Sequence, residues 1–202
     1  MAGFDPAQFH DGFEQMRAIL HQAWQKDLVA GFSGNASLVM PGGNILITGS
    51  GAAKGRLMAQ NLCVMDKGGR LLAGQNPSSE AKMHLAIYAI REDCRAILHT
   101  HPPKLLALGL KNDLQKSFLD LPLHEAAVFG KALAVAPAAE PGSRELADGA
   151  ARAARDPATR AVWLTNHGLC ALGDNLDTAL ALSEEMEHLA GIQLACGLFG
   201  KV

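Results

Sequence analysis

The run Ala96-Ile97-Leu98-His99-Thr100-His101-Pro102-Pro103 constrains the backbone more than any other stretch of this chain. Three consecutive apolar residues, two of them branched, predict a buried strand, and the two prolines end it immediately after the histidines. Side chains alternate along a strand, so His99 and His101 point to the same side at its end. Two imidazoles placed this way are half of a metal site. A lone histidine on an apolar strand is ordinarily a hydrogen-bonded core residue, whereas a pair at this spacing fits ligand and core roles about equally well.

A third ligand is offered by Val162-Trp163-Leu164-Thr165-Asn166-His167-Gly168-Leu169, a second apolar strand that ends in a histidine followed by glycine. His167 also stands at a strand end, where a loop carries function on a rigid scaffold. Three neutral imidazoles around a divalent metal leave one position open, the pattern of a catalytic rather than a structural zinc site. His84 competes as a ligand, since it lies four residues after Glu80 on one helix face. With positions 83, 84, 87 and 90 all predicted to face inward, His84 is expected to be a core or supporting histidine. His10, His21 and His188 fall on terminal helices without a partner motif and are expected at the surface.

Composition excludes several function classes. A formal charge of −2 across 202 residues is too small to imply a polyanionic partner such as nucleic acid. The hydrophobic fraction of 49% and charged fraction of 19% are those of a soluble globular protein, and the length suits one domain spanning residues 1–202. No apolar run is long enough to cross a bilayer, and the first residues have neither the basic start nor the apolar core of a signal peptide, so a cytoplasmic protein is expected. Cys63, Cys94, Cys170 and Cys196 form no Cys-x-x-Cys pair, which predicts reduced thiols and a metal held by nitrogen and oxygen.

Periodicity lays out the remaining elements. Phe9, Phe13, Met16, Ile19, Leu20, Ala23 and Trp24 form a helical stripe within 7–29. Short apolar runs at 36–40, 44–48, 62–66 and 70–73, separated by Gly-rich turns, read as antiparallel strands. Pro77-Ser78-Ser79-Glu80 opens a helix to about residue 91, with Met83, Ile87 and Ile90 inward. After the histidine strand come a helix over 103–110, a segment at 111–131 with no clear pattern, and a strand at 132–135. A helix capped by Ser143 over 144–155, strands at 161–165 and 169–172, and a long helix over 176–198 complete the chain. The result is a layered α/β arrangement with a mixed sheet.

Two further groups carry chemistry. Taken alone, Glu80 is a first-turn acid favoured by the helix dipole, with Ser78 or Ser79 as the cap. Free N–H groups at that helix start, the two hydroxyls, and the turns containing Gly34, Asn35, Ser50 and Gly51 also form the kind of groups that hold an anion. Separately, Gly-Asn and Gly-Ser-Gly are ordinary turns. Lys54 is close in sequence, and a solvated role suits it equally.

Taken together and in this order, Gly34-Asn35, Ile47-Thr48-Gly49-Ser50-Gly51, Pro77-Ser78-Ser79-Glu80, His99-x-His101 and Asn166-His167-Gly168-Leu169 resemble the class II aldolase/adducin superfamily, which includes L-fuculose-1-phosphate aldolase. The resemblance runs from about residue 10 to about 198. It implies a three-layer α/β/α domain with a mixed, largely antiparallel central sheet, assembled as a homotetramer with the metal near a subunit boundary. It implies zinc, or another divalent metal, on His99, His101 and His167. Glu80 would then move the proton at the carbon next to the carbonyl, and Gly34, Asn35, Ser50, Gly51, Ser78 and Ser79 would hold the substrate phosphate. The implied reaction is retro-aldol cleavage of a phosphorylated ketose through a metal-stabilised enediolate. Dehydration of a methylthioribulose-1-phosphate type, decarboxylation of a phosphorylated sugar acid and 4-epimerisation of a pentulose 5-phosphate use the same motifs. A non-catalytic adducin-like interaction domain is the rival outside enzymes, and the presence of all three histidines counts against it. The family's aldolase and epimerase use tyrosines, while this chain has one, Tyr88. His124 or Glu125 stands about where a neighbouring subunit's acid/base group appears in the family.

Overall fold

The computed structural model describes residues 6–111, 114, 118 and 121–198. Its centre is one eight-stranded sheet built from β1 (Asn35–Val39), β2 (Ile45–Thr48), β3 (Leu62–Met65), β4 (Leu71–Gly74), β5 (Ala96–Thr100), β6 (Leu133–Ala136), β7 (Ala161–Leu164) and β8 (Gly168–Gly173). The strand order is β4-β3-β2-β1-β5-β8-β7-β6. Every neighbouring pair is antiparallel except β6 and β7, which run parallel. The helices are α1 (Pro6–Gln25), α2 (Ala81–Tyr88), α3 (Pro103–Lys111), α4 (His124–Ala132), α5 (Arg144–Ala153) and α6 (Leu176–Leu198).

Alternation along the strands divides the core in two. Ala36, Leu46, Ala96, Leu98, Trp163, Leu169 and Ala171 pack with Met16 and Leu20 of α1, Leu105 and Leu108 of α3, and Leu180 and Met186 of α6. The opposite face carries Ile97, Val162, Leu164, Cys170 and Leu172 against Met83 and Ile87 of α2 and Leu146, Ala147 and Ala150 of α5. This is the expected three-layer α/β/α arrangement. Period two then sets the functional chemistry: Asn35 and Ser37 on β1, and Ile97 and His99 on β5, all face the α2 layer.

Several boundaries differ from the periodicity. The second helix stops at Tyr88 rather than near residue 91, and Ile90, expected inward, is 41% exposed. The first helix ends at Gln25, and Trp24, part of the predicted stripe, is 45% exposed. Neither Ser78 nor Ser79 caps α2; Glu80 occupies that position without a side-chain cap bond, and Ser78 Oγ accepts from Glu80 N at 3.3 Å. Ser143 does cap α5, accepting from Leu146 N at 3.0 Å. The unpatterned segment 111–131 lies partly outside the described residues, and its part from His124 onward forms all but the last residue of α4. The four cysteines are free thiols. Among the described residues no helix is long and apolar enough to cross a membrane.

Candidate active site

β5 delivers His99 at its penultimate residue and β1 delivers Asn35 at its first, and the two lie directly opposite in the antiparallel register. The β7–β8 turn brings His167 to the same end. It is a tight turn: Asn166 has φ +61°, and His167 N donates to Leu164 O at 2.9 Å. A left-handed Asn at such a turn is a known accommodation of strain. Gly168 follows because a Cβ there would sit 2.4 Å from Thr100 O and 2.8 Å from His101 Cδ2. The strand ends therefore come together only with glycine at that position. Gly34 is required in the same way, with φ +72° and a virtual Cβ 2.7 Å from His99 O.

The three imidazoles predicted as ligands converge, each offering a ligand atom within 4.8 Å of the others. Their rings meet edge-on, with centroids 4.8–5.3 Å apart. Glu80 closes the group from the start of α2: Oε2 lies 3.2 Å from His99 Nε2 and Oε1 3.1 Å from His167 Nε2. The second contact lacks the alignment of a hydrogen bond, so Oε1 is buried without a hydrogen-bond donor among the described residues. His167 Nδ1 is buried without a partner as well.

Protonation makes this group a fit for a cation. Burial, reinforced by His101 and His167, holds His99 well below the usual histidine range, so it is neutral. His99 Nδ1 lies 3.0 Å from Leu169 O, an acceptor only, and must carry the ring proton. Nε2 is then a bare lone pair, yet it faces the Glu80 carboxylate and His101 Nε2, the latter at 3.0 Å. Burial, then His167, also lowers His101. Lone pairs and a carboxylate converging in a buried site repel unless a cation stands among them. Imidazole nitrogens with a carboxylate at the edge suit zinc or a similar divalent ion. The Leu169 carbonyl fixes the ring orientation such a ligand needs.

The predicted phosphate residues divide into two sets. Ser50, Gly51, Ser78 and Ser79 lie on two segments held side by side: Gly49 bridges Pro77, Ser50 N donates to Asn76 O at 3.0 Å, and Ser78 N to Thr48 O at 3.0 Å. Ser50, Gly51 and Ser79 are exposed there, Ser79 immediately before Glu80. Gly34 and Asn35 lie deeper. The Asn35 side chain is engaged at both ends, donating one N–H from Nδ2 to Glu80 Oε2 at 2.8 Å and offering Oδ1 to His84 Nε2 at 2.5 Å. Lys54, for which a solvated role fitted equally well, is 2% exposed; it donates to Phe32 O at 2.9 Å and Ala52 O at 2.6 Å, joining the two glycine turns. Desolvation lowers its ammonium to about 8.

Sequence reasoning gave His84 only a general supporting role and did not single out Ser37 or Glu187. His84 is not one of the three converging imidazoles; its Nδ1 lies 2.7 Å from Ser37 Oγ. The pattern Glu80-x₃-His84-x₃-Tyr88 facing Asn35-x-Ser37 was the available signal. Glu187 of α6 accepts from Lys104 N and Leu105 N at 2.9–3.0 Å, capping α3 just after His101. His10, His21 and His188 are exposed, as expected, and so are His124 and Glu125 on α4.

A family model described as Class II Aldolase and Adducin N-terminal domain matches residues 14–194. The 3-oxo-tetronate 4-phosphate decarboxylase of Escherichia coli is 32% identical over 185 residues, covering 91% of this chain and 86% of that protein. An L-fuculose phosphate aldolase of Methanococcus maripaludis is 33% identical over 183 residues, covering 91% and 96%. The crystal structure of YgbL from Klebsiella pneumoniae superposes with a TM-score of 0.84 at 31% identity, covering 94% of this chain and 91% of that one.

Proposed function

The chain belongs to the class II aldolase and adducin family, and we propose that it is a metal-dependent lyase breaking the carbon–carbon bond beside the carbonyl of a phosphorylated substrate, with loss of carbon dioxide from a 3-oxo sugar acid phosphate as its reaction. The observation that carries this reading is the Glu80 carboxylate, buried within 3.2 Å of both His99 and His167. A cation held by His99, His101 and His167, zinc by the chemistry of the donors, would act as a Lewis acid that polarises the substrate carbonyl.

The residues of the chain supply the rest. In decarboxylation the bond from carbon to carboxylate breaks, its electron pair moves toward the adjacent carbonyl, and Glu80, once it has taken a proton from solvent water, passes that proton to the carbon that carbon dioxide has left. One proton carrier completes that reaction. Retro-aldol cleavage needs a second group to take the hydroxyl proton, and the single tyrosine, Tyr88, is engaged with Ser37. His101 and His167 are only partly buried while His99 is fully so, and in this reading substrate approaches from their side. Ser50, Gly51, Ser78 and Ser79, with the Gly34 turn, hold the phosphate through hydroxyls and backbone N–H groups.

Retro-aldol cleavage of a ketose 1-phosphate is the second reading, favoured by the 33% identity to an aldolase. Decarboxylation of 3-oxo-tetronate 4-phosphate and retro-aldol cleavage of fuculose 1-phosphate leave the same fragment, dihydroxyacetone phosphate. Both readings therefore ask the same metal-to-phosphate geometry of the site and differ in what leaves. A cytoplasmic homotetramer belongs to the proposal; Phe32, Leu110 and Val128, large apolar side chains left exposed on the single chain, support association of copies and bear on neither their number nor the compartment.

The test is a product screen by mass spectrometry over these two substrates and their dephosphorylated analogues. Carbon dioxide with dihydroxyacetone phosphate is the expected outcome, and an aldehyde in place of carbon dioxide selects the second reading. Turnover of dephosphorylated analogues as efficiently as of phosphates contradicts both.

A further inference from the structure

Helix α2 and strand β1 face each other with matched polar ladders. One i to i+4 step on a helix advances about 6 Å, and two residues of a strand advance about 6.6 Å. Glu80, His84 and Tyr88 therefore keep register with Asn35 and Ser37 across the layer. The contacts are continuous: Tyr88 Oη lies 2.7 Å from Ser37 Oγ, Ser37 Oγ 2.7 Å from His84 Nδ1, His84 Nε2 2.5 Å from Asn35 Oδ1, and Asn35 Nδ2 2.8 Å from Glu80 Oε2. Ser37 and His84 are fully buried, and Asn35 nearly so.

From these contacts we infer that Tyr88, Ser37, His84 and Asn35 form a one-way hydrogen-bonded chain whose function is to hold the Glu80 carboxylate in its reacting orientation, with His84 as the positioning residue that fixes the direction. The inference rests on Glu80 being the proton carrier proposed above.

The direction follows from what each atom can do. A carboxylate oxygen only accepts, so Asn35 presents its NH₂ to Glu80 and its carbonyl oxygen to His84. That oxygen also only accepts, so His84 Nε2 carries a proton. Burial pushes His84 down to about 3, which keeps it neutral and leaves Nδ1 as a bare acceptor. Ser37 must then donate its hydroxyl proton to Nδ1, so Tyr88 is the donor of the 2.7 Å contact and shares its one proton between Ser37 Oγ and the Ser37 carbonyl oxygen, 3.1 Å away. Burial raises the Tyr88 phenol well above its usual range, so it retains the proton it donates. Turning the Asn35 amide over would set its oxygen against the carboxylate and its NH₂ against the His84 proton, so the bonds on both sides fail together.

The chain orients and does not conduct. An amide stands between His84 and Glu80 and has no proton to pass on at neutral pH. The Asn35 side chain is anchored in this chain at both ends, which leaves its second N–H, the backbone of that turn and the serines as the groups that would meet a phosphate. Buried polar groups also occur as plain structural fillers, and the two roles separate by measurement. A filler affects stability alone, whereas a positioning chain changes kcat at constant KM and fixes a particular imidazole tautomer.

The test is histidine-selective ¹⁵N NMR on the full-length wild-type chain together with Ser37→Ala and Ser37→Thr. Expected for the wild type is a neutral His84 protonated at Nε2, unchanged across the neutral pH range. In Ser37→Ala the Nδ1 acceptor loses its donor and the His84 signals shift toward the other tautomer. On the phosphorylated substrate the enzyme turns over, kcat of this variant falls about tenfold or more with KM held, and Ser37→Thr, which restores a hydroxyl, recovers most of it. A wild-type His84 protonated at Nδ1, or a Ser37→Ala variant with unchanged His84 signals and unchanged kcat, overturns the inference. If the wild type turns over no phosphorylated substrate, the functional reading fails by itself, and the tautomer of His84 still decides the chain.

Discussion

Asn35 Nδ2 donates to Glu80 Oε2 over 2.8 Å from a strand position directly opposite His99, so one amide ties the carboxylate to the strand pair that carries the first imidazole. The carboxylate is therefore placed by the sheet rather than by the helix whose start it occupies. Changing Glu80 to Gln keeps the shape and an oxygen for Asn35 but removes the transferable proton. kcat is expected to fall by roughly 10²–10⁴ while the fold survives. If Glu80 served only the helix dipole, the cost would be about 0.3–1 kcal/mol of stability with turnover intact. Steady-state kinetics and urea unfolding on the same preparation separate the two.

Acid should destabilise the protein through its buried histidines. His84 falls from its ordinary 6.5 to about 3 on folding. Below about pH 6.5 the unfolded chain binds a proton that the folded chain refuses, so stability drops as pH falls through this window and is unaffected by this group above it. His99 and His101, also lowered, act in the same direction. The urea midpoint should decline between about pH 7 and about pH 5. A flat midpoint would mean that these histidines are not buried neutral.

Glu187 should matter to the metal without touching it. Its carboxylate accepts the first free N–H groups of α3, which begins two residues after His101. Glu187→Leu is expected to cost about 1–2 kcal/mol, through loss of both the cap and the favourable charge at a helix N-terminus. A metal titration should also show weaker binding, by up to about tenfold. Unchanged metal affinity would show that the α3 start does not fix His101.

Arg91 is the corresponding structural control. Its guanidinium is 3% exposed and gathers the carbonyls of Ala154, Asp156, Pro157 and Thr159 while pairing with Asp93 at 2.7 Å. Arg91→Met should destabilise by on the order of 3 kcal/mol, because several carbonyls lose their donor at once. Lysine should not rescue it, having no planar fork to reach them. Full stability in Arg91→Lys, measured by urea unfolding, would contradict this.

The convergence of the three imidazoles in the candidate site was legible in the sequence because strand periodicity is short-range. His99 and His101 follow from period two and a proline stop, and His167 from a strand ended by Asn-His-Gly. The layer order was legible through the resemblance, since an antiparallel sheet cannot be ordered from local pattern alone. What escaped depended on partners distant in sequence. Lys54 looks like any surface lysine until the turns at Phe32 and Ala52 close over it. Ser37 looks like an outward strand residue until β1 is known to be covered on both faces. Ile90 matched the helical stripe, but α2 ends at Tyr88 and leaves it in solvent.

In the proposed enzyme His99, His101 and His167, and not His84, hold one catalytic divalent ion. Elemental analysis of the purified chain and its variants tests it most directly. The predicted result is near one equivalent of zinc or a close substitute per wild-type chain, almost none in His167→Ala, and retention in a folded His84→Ala. A wild-type chain that binds no metal, or a His167→Ala variant that keeps a full equivalent while His84→Ala loses it, would contradict the assignment.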